Sequence, residues 1–152
     1  MVDRFEHFSG AIVKISRAWR RLACEEMAKH GLRGPHATYL ITINRFEQGI
    51  TVPQLCEITG KDKSDASRMI GILEEKQMIE KILSPGSTYR GKIVLTEKGK
   101  EAAEQVKQKA VRAVEIAGKD LTEEKRAIFY EALDIIGENL SSLSKDGIPS
   151  IE

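Results

Sequence analysis

Between residues 53 and 73 the chain reads PQLCEITGKDKSDASRMIGIL, two short helix-forming segments with a glycine between them. In the second segment Ala66, Met69, Ile70 and Leu73 follow the i, i+3, i+4, i+7 spacing that lays one apolar stripe along a helix. Ser64, Ser67, Arg68 and Gly71 then fall on the opposite side, a face that is small, hydroxylated and cationic. Leu55 and Ile58, three apart, mark the inward side of the first segment. Gly60 follows where a left-handed residue ends a helix at low cost, and Cys56 supplies a small side chain where two helices cross. This is the pattern of a helix-turn-helix, whose second helix enters the DNA major groove with its N-terminal residues near the base edges. Lys63, Ser64, Ser67 and Arg68 are the candidate DNA contacts.

After Met78 the period changes. Ile79 to Leu83 and Lys92 to Leu95 are short strand-like runs joined by Ser84-Pro85-Gly86-Ser87-Thr88-Tyr89-Arg90-Gly91, rich in turn formers. A hairpin directly behind the second helix makes a winged helix. Arg90 and Lys92 near its tip, with no acid beside them, are the candidate contacts to phosphates or to the minor groove.

Both flanks are strongly helical. Phe5, Phe8, Ile12, Ile15, Trp19 and Leu22 alternate spacings of three and four, an apolar seam on a helix of about 25 residues. Pro35 opens a helix bearing Leu40, Ile41 and Phe46 that closes near Gly49. Thr96-Glu97-Lys98-Gly99 opens a helix through about Ala117 that carries Ala103, Val106, Ala110, Val114 and Ala117; Gly118-Lys119-Asp120 breaks it. Thr122 caps a last helix bearing Phe129, Ala132, Leu133, Ile136, Leu140 and Leu143. The expected fold is therefore mainly α with a small β-hairpin wing, a winged helix-turn-helix flanked by N- and C-terminal dimerisation helices. The long seams exceed what the winged helix covers. They fit either an intramolecular bundle or an interface in a two-fold homodimer, the symmetry that reading a DNA palindrome requires.

Composition bounds the remaining classes. With 152 residues the chain forms one unit, too short for a second catalytic domain. Its 24 basic and 23 acidic residues give +1, against a generic polyanion binder, yet residues 60–100 hold nine basic and six acidic side chains. Two cysteines 32 positions apart make neither a disulfide framework nor a zinc knuckle, and the three histidines show no metal-ligand spacing. No cofactor or metal is expected. The start MVDRFEHFSG lacks a signal-peptide core and no apolar run approaches a membrane span, so a cytoplasmic protein is expected. No nucleophile–base or carboxylate pair stands at interpretable spacing, which argues against an enzyme. Gly86 to Lys92 matches most of a P-loop, but Ile93 replaces the metal-binding hydroxyl and a strand, not a helix, follows. Asp65 reads as the partner of an Asp62 helix cap.

The order of elements, the string DKSDASRMIGILEEKQMIEK and the later LTEKGKE together resemble the MarR-type winged-helix regulators over nearly the whole chain. The most specific parts are Asp62-Lys63-Ser64, Ser67-Arg68, Leu73-Glu74 with Ile79, and Leu95-Thr96-Glu97-Lys98-Gly99. The resemblance implies a homodimer built from the first and last helices, regulating transcription from double-stranded DNA, often released by a small aromatic acid or by cysteine oxidation. The corresponding lobes are 34–95 for DNA, 1–33 and 96–145 for dimerisation, and a disordered tail at 146–152. Two departures stand out. The wing lacks the family's acid before its arginine, and Gln77-Met78 stand where relatives commonly carry a glycine before the first wing strand.

An effector acts on DNA only by favouring one orientation of the two reading heads, which places its site where dimer helices join the DNA lobe. Trp19, His36 and Tyr39 supply aromatic surface there and Arg20 a cation suited to a carboxylate. Trp19 as a seam residue and Tyr39 as a core residue is the alternative. Cys24, near the middle of the first helix and outside its seam, is a candidate redox switch, and a winged-helix adaptor or architectural protein using the wing for protein contacts is the alternative function.

Overall fold

Capping chemistry sets most of the helix boundaries in the computed structural model, which describes residues 3–83 and 91–149. The order is α1 (Arg4–Ala28), α2 (His36–Asn44), α3 (Val52–Thr59), α4 (Lys63–Glu75), β1 (Ile79–Ile82), β2 (Lys92–Leu95), α5 (Glu97–Ala117) and α6 (Glu123–Asp146). Asp3, Thr51, Asp62 and Thr122 each accept a backbone N–H at the start of α1, α3, α4 and α6. At α3 the cap is a full capping box: Gln54 Oε1 returns to the Thr51 N–H at 3.0 Å. Gly60 takes φ 65° and ends α3 in the left-handed region, as expected.

The chain divides into two compact units, 1–110 and 111–152. In the first, α2 packs on α3 and β2, α3 on α4, and α4 on β1, while α1 reaches α2. The strands pair antiparallel in the register Ile79 with Leu95 through Ile82 with Lys92. Ile50 adds a bridge to Ile93, with N–H···O distances of 3.0 and 2.8 Å in the two directions. Leu55, Ala66, Met69, Ile70, Leu73, Ile79, Ile93 and Leu95 are buried together with Met27, Leu40, Ile43 and Ile50. The stripe read from α4 is thus wholly inside, and burying it drives that helix onto the hairpin.

Several sequence expectations shift. The helix after Pro35 ends at Asn44; Phe46 lies beyond it, half-buried, and Gly49 at φ 84° closes the turn that follows. Ile58 points outward, because an eight-residue helix between two neighbours has only one inward line, through Leu55. The α5 seam is two different surfaces: Ala102, Ala103 and Val106 are core, whereas Val114 and Ala117 are exposed. Cys24 lies near the C-terminal end of α1, its Sγ against the Gly34 backbone, rather than mid-helix.

The second unit holds the end of α5 and α6. Gly118 is buried and its carbonyl accepts Arg126 Nη2 at 2.9 Å, which fixes the turn between the helices. No residue of α6 is buried. No helix among the described residues is long and apolar enough to cross a membrane.

The end of α4 bears on the departure at Gln77. The Met78 N–H bonds to the Leu73 carbonyl and the Gln77 N–H to the Glu74 carbonyl, both at 2.9 Å, a Schellman closure with Leu73 and Met78 buried beneath it. Gln77 is the one non-glycine residue at positive φ among the described residues, at 58°. It occupies the left-handed position that a glycine would hold without a Cβ penalty. Gln77→Gly is therefore expected to stabilise the fold by about 1 kcal/mol, raising Tm by roughly 2–4 °C at fixed protein concentration in calorimetry. A lowered Tm would show that the glutamine side chain contributes more than its backbone costs.

Candidate nucleic-acid interface

Asp62 Oδ1 accepts the Asp65 N–H at 2.8 Å and starts α4, so the helix enters solvent with its first turn capped and its four apolar residues turned inward. Lys63, Ser64, Ser67, Arg68 and Gly71 are all exposed on the remaining surface. Nothing lies within 4 Å of where a Cβ at Gly71 would stand, so no contact within the chain requires glycine there. The face is low in profile, with two hydroxyls and a guanidinium rising from it.

Arg68 is not unattended. Its Nη2 donates to Asp65 Oδ1 at 2.9 Å across one turn of the helix. Asp65 thus receives the cap through its backbone, as expected, but its carboxylate turns to Arg68 and not back to the cap residue. Sequence spacing alone contained this pair at i, i+3, the separation at which helix side chains meet.

Behind α4 the wing is anchored by a short network. The Thr96 hydroxyl donates to the Gln77 carbonyl at 2.8 Å and accepts the Gly99 N–H at 3.1 Å, while Lys98 Nζ donates to the Lys76 carbonyl at 2.9 Å. Thr96 therefore caps α5 and ties it to the end of α4, and Lys98 places a cation on the negative end of the α4 dipole. Lys92 is the first residue of β2, half-buried, with its Cβ against Gly49. It pairs with Ile82 at the loop end of the two-stranded ladder. Arg90 lies outside the described residues.

The four residues expected to meet an effector separate. His36 and Tyr39 are fully buried in the core of the first unit, so neither offers surface to a ligand in this conformation. Trp19 and Arg20 are exposed on α1 but point about 100° apart as consecutive helical residues. A shallow groove of about 470 Å³ on α1 is lined by Gly10, Val13, Lys14, Arg17, Ala18 and Arg21, and includes neither. Burial of His36 and Tyr39 follows from α2 packing on α1, α3 and β2, an arrangement that local spacing does not reveal.

Their environment is nonetheless distinctive. Burial pushes the Tyr39 phenol up, and the Asp65 carboxylate adds to it. Burial lowers the His36 pKa; Nδ1 meets both the N–H and the carbonyl of Arg33 at 3.1 Å, and Nε2 has no partner. With its folded-state pKa below the ordinary 6.5, His36 binds a proton more readily in the unfolded chain. Its contribution to stability is whole above about pH 6.5 and is lost as pH falls from there toward the folded value. Denaturant midpoints measured from pH 7.5 to 5 are expected to fall, and His36→Gln to flatten that fall. An unchanged slope in the variant would assign the pH dependence to other groups.

Residues 30–87 match the MarR family model, a span covering α2 to α4 and β1. Over the whole chain, the fold superposes on a MarR-family transcriptional regulator from Listeria monocytogenes, complexed with 26mer DNA, at TM-score 0.80 and 25% identity, covering 100% of both chains. The chain is thus similar to MarR-family transcriptional regulators, in sequence over residues 30–87 and in fold over its whole length. A SlyA-like transcription regulator from the same organism aligns at TM-score 0.77 and 25% identity, over 93% of this chain and 96% of that chain. The S. aureus MepR–DNA complex shares the fold at TM-score 0.79 and 18% identity, over 88% and 97%. No curated protein matches this sequence. The winged helix-turn-helix, with helices before and after it, is the family architecture that the residue patterns pointed to.

Proposed function

We propose that the protein is a transcriptional regulator that acts as a homodimer on duplex DNA, placing α4 of each copy in the major groove of one half of an inverted repeat. The observation that carries this reading is the exposed Ser64, Ser67, Arg68 face of α4, set opposite a fully buried stripe and flanked by Lys63. Two of the structural neighbours are DNA complexes, which supports the same use of the fold here. In this reading 34–95 is the DNA lobe, 1–33 and 96–145 form the dimerisation lobe, and half-site centres lie about one helical turn, ~10 bp, apart. Lys92 and, from the sequence, Arg90 meet phosphates or the minor groove. A small aromatic acid is the effector class, with Trp19 and Arg20 on exposed α1 as its contacts; the burial of His36 and Tyr39 removes them from that surface unless the core opens.

The test is a binding series on DNA selected from a random duplex pool. Arg68→Ala is expected to cost about 1–3 kcal/mol of specific binding while random-duplex affinity falls less. Alanine at Arg90 and Lys92 together is expected to lower the slope of log affinity against log salt by roughly 2 without changing the preferred sequence. An adaptor protein would show neither selected sequence nor steep salt dependence. Normal operator binding by the Arg68 variant would remove that residue from the interface.

A further inference from the structure

Besides the Asp62 cap, a second acid stands on the leading edge of the surface proposed for DNA. Asp65 is in the first turn of α4, its N–H held by Asp62 Oδ1 and its own Oδ1 held by Arg68 Nη2. Its side chain is 29% exposed against 71% for Arg68, so the acid is sheltered and the guanidinium projects. A carboxylate in this place repels phosphates, which a surface built only for affinity would avoid. The helix dipole stabilises an acid in the first turn, but that role is already filled by Asp62 and needs no contact with Arg68.

We propose that Asp65 is a positioning residue that holds the Arg68 guanidinium in the plane needed for bidentate hydrogen bonding to guanine, raising base selectivity while lowering general affinity for DNA. The inference rests on the reading of α4 as the helix that enters the major groove. Arginine carries five N–H donors in a rigid fork, and guanine presents O6 and N7 as a matched pair of acceptors in that groove. One donor engaged by Asp65 leaves the rest of the fork free. It also restricts a long side chain that would otherwise sample many rotamers and reach any nearby phosphate. An exposed ion pair of this kind is weak in water. It strengthens when the groove excludes solvent around it.

The experiment uses the full-length protein and duplexes selected by it from a random pool, with unselected duplex as the non-specific reference. Asp65→Asn keeps shape and removes charge; Asp65→Ser is the second variant, since serine is also accepted in the first turn of a helix. Both are expected to lose one guanine preference per half-site, to lower the selected-to-random affinity ratio about tenfold, and to bind random duplex more tightly. In an Arg68→Ala background Asp65→Asn is expected to leave base preference and the selected-to-random ratio unchanged, while removal of the carboxylate still tightens binding to random duplex. If the Asp65 variants keep the guanine preference while Arg68→Ala loses it, Arg68 reads unaided: the inference is overturned and the reading of α4 stands. Additive losses of the selected-to-random ratio in the double variant overturn it as well. If the unmodified protein selects no sequence at all, DNA reading by α4 fails, and the inference with it.

Discussion

Gly99→Ala is expected to lower stability by about 3 kcal/mol or more, enough to leave much of the chain unfolded at physiological temperature. A Cβ at this position would overlap the Met78 carbonyl oxygen and press on the carbonyl carbon at 2.9 Å, with Leu95 Cβ at 3.3 Å on another side. None of these atoms belongs to a side chain that could swing away. The Met78 carbonyl already accepts the Thr96 N–H at 3.0 Å, and Met78 closes the end of α4. Relief would therefore require moving α5 off the junction of recognition helix and wing. Circular dichroism melts of the variant against Gly71→Ala give the contrast, since a Cβ at Gly71 meets nothing and replacing a mid-helix glycine is expected to stabilise by up to about 1 kcal/mol. Equal melting temperatures for the two would show that the junction is softer than its geometry.

The second large effect is expected at the apolar helix surfaces. Phe5, Phe8, Ile12, Ile15, Trp19 and Leu22 are all exposed along α1, and Phe129, Leu133, Ile136, Leu140 and Leu143 along α6. Contiguous apolar stripes of this length are uncommon on a free surface and mark association sites. Under the proposed homodimer, Ile15→Glu or Ile136→Glu is expected to yield monomers or unfolded chain in sedimentation and to abolish pairing of half-sites on DNA. A buried, unpaired carboxylate in an interface costs several kcal/mol, more than a dimer of ordinary affinity can absorb. Glu131→Lys, on the opposite side of α6, is the control and is expected to remain dimeric. A stable, well-folded monomer of the unmodified protein would defeat the dimer reading.

How far the residues alone led differs from element to element. The α4 stripe, both strands, the Gly60 stop and the Thr122 cap were legible because each depends on neighbours within one or two turns. The Thr51 capping box is equally local, written in Thr51-Val52-Pro53-Gln54. Gln77 at positive φ was foreshadowed by the missing glycine, but its Schellman bonds needed coordinates. The Asp65–Arg68 pair was possible from spacing and undetermined by it, since Asp65 could equally have turned back to the cap.

By itself the sequence determined which faces are apolar, where helices start and stop, and that a hairpin follows the second short helix, because periodicity and capping are local properties of the chain. Tertiary structure alone decided what covers each apolar face. It buried Met27, Ile50 and Ala102, placed His36 and Tyr39 in the core and out of the expected ligand surface, and left the α1 and α6 seams open. A hydrophobic pattern states that a surface seeks a partner; only the path of the whole chain fixes whether that partner lies within it.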